Sequence, residues 1–171
     1  MSTKKILLVA AILVVAIVVG HVIGFCCFKK SGCSDDVCDK KVVIHTDKAP
    51  KAIGPYSQAI KCDDFLFISG QLGIDPETNQ IPEDVESQTK IAMNNLKVIL
   101  EEAKMDFKDV VQTHIFLKDI NNFAKVNEIY ASYFEGDYPA RATMQVAALP
   151  KDGKVEIEMI AYKNDCEDCN K

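Results

Sequence analysis

One arginine, Arg141, lies in the run Tyr138-Pro-Ala-Arg-Ala-Thr-Met-Gln-Val and is the side chain best suited to hold a small anion. Its guanidinium presents N–H groups in a fork that meets a carboxylate bidentately, which a lysine ammonium does less well. The plain alternative is a surface arginine paired with a glutamate, the usual state of an exposed charge. Few other groups have a catalytic look. There is no Trp, and the three His are scattered. His45 and His114 fall singly in strand-like segments and His21 in an apolar run, without the partners that a catalytic or metal constellation needs. Cys62 has no evident base to activate it and reads as a half-buried strand or turn residue.

The elements that would position Arg141 follow from apolar spacing. Val42 to Thr46 is a short β-branched strand, followed by a loop from Asp47 to Pro55. Ala59 to Ser69 reads as a second strand, with Gly70 marking a backbone turn or a close approach. Asp75-Pro-Glu-Thr-Asn-Gln has turn chemistry. From Asp84 to Lys104, the residues Ile91, Ala92, Leu96, Ile99, Leu100 and Ala103 recur at helical spacing behind an acidic start that suits the helix dipole. Val110 to Leu117 alternates as a strand. Asn121 to Phe134 is a second amphipathic helix. Ala142 to Ala148 is a strand with Arg141 at its mouth, and Val155 to Tyr162 alternates as the last one. The order ββ, helix, β, helix, ββ predicts an α+β domain with two helices on one face of a mixed sheet. The other face needs cover, which an oligomer would supply.

The ends of the chain differ from this middle. Ile6 to Phe28 is an almost unbroken apolar run, long enough for the roughly 20 residues that a membrane span requires. It is expected to be an uncleaved anchor over residues 1–28, a signal sequence being the rival reading. Lys29, Lys30, Lys40 and Lys41 give a slight basic excess downstream, which favours a cytoplasmic globular part. Residues 29–40 read as a linker, 41–163 as the domain and 164–171 as an acidic tail. Cys33 and Cys38 in the linker, with Cys166 and Cys169 in the tail, have spacing compatible with zinc or disulfides, but lack further ligands, so no metal site is assigned. The net charge of -5, with no basic block in the second part, argues against non-specific nucleic-acid binding.

Four stretches carry a resemblance: Gly54-Pro-Tyr-Ser-Gln-Ala, Phe67-Ile-Ser-Gly-Gln-Leu, Pro139-Ala-Arg-Ala-Thr-Met-Gln-Val-Ala-Ala-Leu-Pro and Val155-Glu-Ile-Glu-Met-Ile-Ala. In this order, over Lys41 to Lys163, they closely resemble the Rid family (YjgF type) of reactive-intermediate deaminases. The resemblance implies a chorismate-mutase-like fold and a homotrimer with sites between subunits. It implies hydrolysis of 2-aminoacrylate and related 2-imino acids, such as 2-iminobutanoate, to 2-keto acids and ammonia, with no cofactor and no metal. It makes Arg141 the carboxylate clamp, and Glu156 the group that positions or activates water. Tyr56 would line the site, with Ser69 and Gly70 near the cleft. Thr143 stands where the family often has cysteine, and Asn127 matches a frequent asparagine on the second helix.

The chemistry agrees with those roles. An imine carbon is already electrophilic, so an anion clamp, a positioned water and proton traffic suffice. The rival functions are a non-catalytic ligand-binding or regulatory member of the same fold, a ribonuclease or translation inhibitor, and a holdase-like chaperone. The acidic composition and the lack of a base-stacking patch count against the ribonuclease.

Overall fold

The computed structural model describes residues 41–163. The expected anchor over residues 1–28, the linker, the acidic tail, His21 and the four terminal-segment cysteines Cys33, Cys38, Cys166 and Cys169 lie outside them. Among the described residues no helix is long and apolar enough to cross a membrane.

Six strands and two helices form the domain: β1 (Lys41–Ile44), β2 (Ala59–Cys62), β3 (Phe65–Leu72), α1 (Val85–Glu102), β4 (Val110–Leu117), α2 (Phe123–Ala131), β5 (Ala140–Gln145) and β6 (Val155–Tyr162). They make one mixed sheet in the order β1-β2-β3-β6-β4-β5, antiparallel except for the β4–β5 pair. The α+β architecture with two helices on one face is as the periodicity implies.

The core lies between the helices and that face. Leu66 and Ile68 of β3, Ile115 and Leu117 of β4, and Val155, Ile157 and Met159 of β6 are buried there against Ala92, Met93, Leu96 and Ile99 of α1 and Val126 and Tyr130 of α2. Strict alternation along β6 puts Glu156, Glu158, Ile160 and Tyr162 on the other face. That open face carries Val43, Phe65, Phe67 and Met144, large apolar side chains left exposed. Helix α1 starts as expected: Asp84 Oδ1 accepts from Ser87 N at 2.7 Å, an N-cap that satisfies an orphan helix donor.

Three boundaries differ from the sequence reading. The single strand expected over Ala59 to Ser69 is a hairpin, β2 and β3, turned at Asp63, whose φ of 50° is left-handed. The second helix begins two residues late, because Asp119 caps a 3-10 turn over Ile120–Asn122 by accepting from Asn121 N. It ends at Ala131. Tyr133 instead hydrogen-bonds Lys90 O and Asn94 Oδ1 on α1. Finally, β5 begins at Ala140, so Arg141 lies inside the strand, opposite Thr113, and not at its mouth.

Candidate active site

A β-bulge builds the first part of the site. Pairing of β3 with β6 runs regularly to Ile68↔Met159 and resumes at Gln71↔Ile157, so one extra residue is accommodated at Ser69-Gly70. Ser69 is fixed from the β2 side, its N donating to Gln58 O at 3.0 Å and its hydroxyl to Ser57 O at 2.7 Å. Gly70 lies directly beneath the Glu156 carboxyl. A Cβ there would fall 2.1 Å from Glu156 Oε1, so the carboxyl can occupy this position only over a glycine.

The loop before β2 makes the opposite wall. Gln58 is buried and holds this loop by both ends of its amide. Its Oε1 accepts from Thr46 N at 2.8 Å, and its Nε2 lies 2.9 Å from Pro50 O, with Thr46 O and Ala49 O also in reach. These bonds let the loop carry Lys51, Ile53 and Tyr56 over the bulge. Tyr56 OH accepts weakly from Ile53 N, at 3.4 Å. The result is a cleft of about 430 Å³ lined by Lys51, Tyr56, Ser69, Gly70, Glu156 and Glu158, among others.

Burial and the negative charge of Glu158 both push the Glu156 carboxyl above its ordinary value of 4.5. The folded chain holds a proton on Glu156 at pH values where the unfolded chain has lost it, so this group's contribution falls as pH rises from the ordinary value through the raised one. Glu156→Gln is therefore expected to melt higher than the wild type at neutral pH. The difference should vanish below the ordinary glutamate range. Thermal melts of the two proteins across that window check this, and a variant that melts lower at every pH would contradict it.

Arg141 lies elsewhere. Parallel pairing sets Arg141 opposite Thr113 and Thr143 opposite Ile115, on the helix-covered side of the sheet. The guanidinium stacks on Tyr130 at 4.9 Å from the ring centroid, and lies 5.8 Å from that of Phe123. The buried Tyr130 hydroxyl donates to Thr113 Oγ1 at 3.2 Å, which fixes this aromatic shelf. A cation on such a face is worth about 0.5–2 kcal/mol while its N–H groups stay free for an anion. Asn127, Tyr130, Tyr138, Pro139 and Arg141 line this second cleft, of about 400 Å³. Thr143 Oγ1 is buried without a hydrogen-bond partner among the described residues.

The shelf can be tested directly. Tyr130→Phe keeps the ring and should leave KM near the wild-type value. Tyr130→Leu removes it and should raise KM about fivefold, the loss of roughly 1 kcal/mol of cation–π attraction. Equal KM in both variants would show that the ring does not hold the arginine.

The candidates thus divide. Tyr56, Ser69, Gly70 and Glu156 share the cleft on the open face. Arg141 and Asn127 share the cleft by α2, and Thr143 lines neither. Within one chain Arg141 and Glu156 are on opposite sides of the sheet. Three contributors were missed: Gln58, Tyr130 and Glu158. Gln58 and Glu158 fall inside the motifs quoted above, and Tyr130 follows Asn127 by three, on the same helical face.

Fold and clefts together define a small α+β domain that carries an arginine-lined cleft and a glutamate-lined cleft on separate surfaces. Residues 46–163 match the profile of the family described as Endoribonuclease L-PSP, so the chain belongs to this family, which includes the Rid proteins. It is 54% identical over 124 residues to a RutC family protein of Pyrococcus abyssi, covering 72% of this chain and 98% of that one. It is 54% identical over 122 residues to the 2-iminobutanoate/2-iminopropanoate deaminase of Mus musculus, covering 71% and 90%. Among solved structures, RidA from the Antarctic bacterium Psychrobacter sp. matches with a TM-score of 0.70 and 48% identity, covering 71% of this chain and 99% of that chain.

Proposed function

We propose that this chain is an enzyme that hydrolyses reactive 2-enamino and 2-imino acids, such as 2-aminoacrylate and 2-iminobutanoate, to 2-keto acids and ammonia. The observation that carries the reading is the pairing of chemistries across the sheet: an arginine fork that no described carboxylate neutralises, and a carboxyl whose proton affinity burial raises. Identity of 52–54% to mammalian 2-iminobutanoate/2-iminopropanoate deaminases supports it.

Arg141 clamps the substrate carboxylate through two charge-assisted hydrogen bonds. The imine carbon is then open to water. Glu156 orients that water and accepts its proton as the C–O bond forms. The protonated carboxyl returns the proton to the imine nitrogen, giving the carbinolamine. Glu156 then carries the hydroxyl proton to the amino group, the C–N bond breaks as C=O forms, and ammonia leaves the 2-keto acid behind. Thr143 Oγ1 offers a buried polar partner near the clamp. Tyr56, Ser69 and Gly70 shape the water side, and Asn127 the clamp side. The residues ask for no metal or cofactor.

Because the two halves point away from each other in one chain, the working site joins the Arg141 cleft of one copy to the Glu156 cleft of the next. The apolar open face supports such an assembly, with Val43 at 59% and Phe67 at 46% exposed in the isolated chain. A closed homotrimer with three equivalent clefts satisfies both demands. The run Ile6–Phe28 is kept in this proposal as the membrane anchor; retention of the full chain in washed membranes, and loss of that retention when residues 1–28 are removed, would support it.

The test generates 2-aminoacrylate in place from serine with a dehydratase and follows pyruvate with and without the protein. Acceleration supports the deaminase. No acceleration by a folded protein over several imino acids moves the reading to a ligand-binding member of the fold. Co-refolding inactive Arg141→Ala with inactive Glu156→Gln adds the assembly. If neighbouring copies share each site, about a quarter of the random interfaces regain both groups. A mixture as inactive as its components would count against the shared site.

A further inference from the structure

The open-face cleft contains a second carboxylate that the reaction above does not use. Glu158 follows Glu156 by two on β6, so both side chains rise on one face about 7 Å apart along the strand. Cross-strand pairing sets Glu158 against His114 and Glu156 against Phe116 on β4. His114 Nδ1 lies 2.7 Å from Glu158 Oε1. Since an ionised carboxylate only accepts, Nδ1 carries the proton of this bond. The other ring nitrogen, Nε2, lies 3.0 Å from the Gln112 amide.

That amide is the telling partner. Its NH2 can donate to a neutral ring, and its carbonyl, after a half-turn, can accept from a protonated one. Either way the ring is held at both nitrogens, so its Nδ1–H stays aimed at Glu158. The other titratable groups around the cleft are Glu156 itself, Lys51 and Tyr56 from the loop. Phe116 of β4 and Ser69 and Gly70 of β3 bring no charge, and Ala142 of β5, opposite His114, brings none either.

We propose that Glu158 is a positioning residue held by His114 and Gln112, and that this triad sets the charge facing Glu156 and so the readiness of Glu156 to take a proton from water. Only its catalytic meaning rests on the deaminase reading; its electrostatics do not. The Glu158 charge favours the protonated acid at Glu156, and the His114 Nδ1–H from which Glu158 accepts offsets part of that charge. The two removals should therefore act in opposite directions, which a merely structural role would not produce.

The experiment uses the full chain with glutamate labelled by 13C at the side-chain carboxyl, the Glu156 signal being assigned by its loss in Glu156→Gln. Glu158→Gln should move the Glu156 titration midpoint to lower pH. His114→Ala should move it to higher pH, because the bare Glu158 charge remains. Glu158→Gln with His114→Ala together should follow Glu158→Gln. Unchanged midpoints, or shifts of the same sign in both single variants, would overturn the proposal. The measurement needs no turnover, so it stands or falls apart from the deaminase assay. Should His114→Ala fail to fold, His114→Phe, which keeps a ring but removes the donor to Glu158, should raise the midpoint in its place. An unshifted midpoint in that variant would overturn the proposal as well.

Discussion

Replacing Arg141 with alanine is expected to abolish measurable turnover while leaving the fold intact. Two charge-assisted bonds to a carboxylate, at about 1.5–3 kcal/mol each, are lost together, which amounts to roughly a hundredfold to ten-thousandfold in kcat/KM. The fold should survive because Arg141 is exposed and its guanidinium rests on the faces of Tyr130 and Phe123. Arg141→Lys sharpens the reading. It keeps the charge but loses the fork and most of the stacking, so it should recover only a minor part of the loss. Circular dichroism and the pyruvate assay decide the outcome together. A folded Arg141→Ala protein that keeps most of its activity would remove Arg141 from the site.

The second large effect concerns a residue with no side chain. Gly70→Ala would place a methyl 2.1 Å from Glu156 Oε1 and 2.8 Å from its carboxyl carbon. Backbone strain is not the issue, since Gly70 is not among the positive-φ residues. The carboxyl must swing away instead. A displaced acid–base group forfeits about 10²-fold or more in rate, so Gly70→Ala should resemble Glu156→Gln in kcat. The atoms in conflict are the end of a flexible side chain, so the melting temperature should change little. A larger fall in stability than in activity would mean that the bulge, and not the carboxyl, had yielded.

Much of the scaffold was legible because its signals are local. Asp84 before an apolar stripe announced α1, and the alternation of β6 set Glu156 on the face away from Val155 and Ile157. The β2–β3 hairpin was missed because Lys61-Cys-Asp-Asp-Phe has no glycine at the turn. Asp63 itself takes the left-handed conformation. β5 was misplaced because its small and polar residues, all exposed or half-buried, leave no apolar rhythm to read. The motifs contain Tyr56, Ser69, Gly70, Glu156 and Arg141, whereas their division between two clefts was not legible in them. It depends on the parallel register of β5 on β4, a long-range pairing that no local pattern encodes.

That register also has a dynamic side. As the last strand in the order β1-β2-β3-β6-β4-β5, β5 has a neighbour only in β4. In an isolated chain roughly every other amide of β5 points away from the sheet. Amide hydrogens there should exchange with solvent far sooner than those of β6, which is bonded on both sides. The strand that carries the arginine is thus, like β1, an edge strand with backbone support on one side only. Deuterium uptake along β5 would register occupation of the anion cleft, or arrival of a neighbouring copy, before any change in the core.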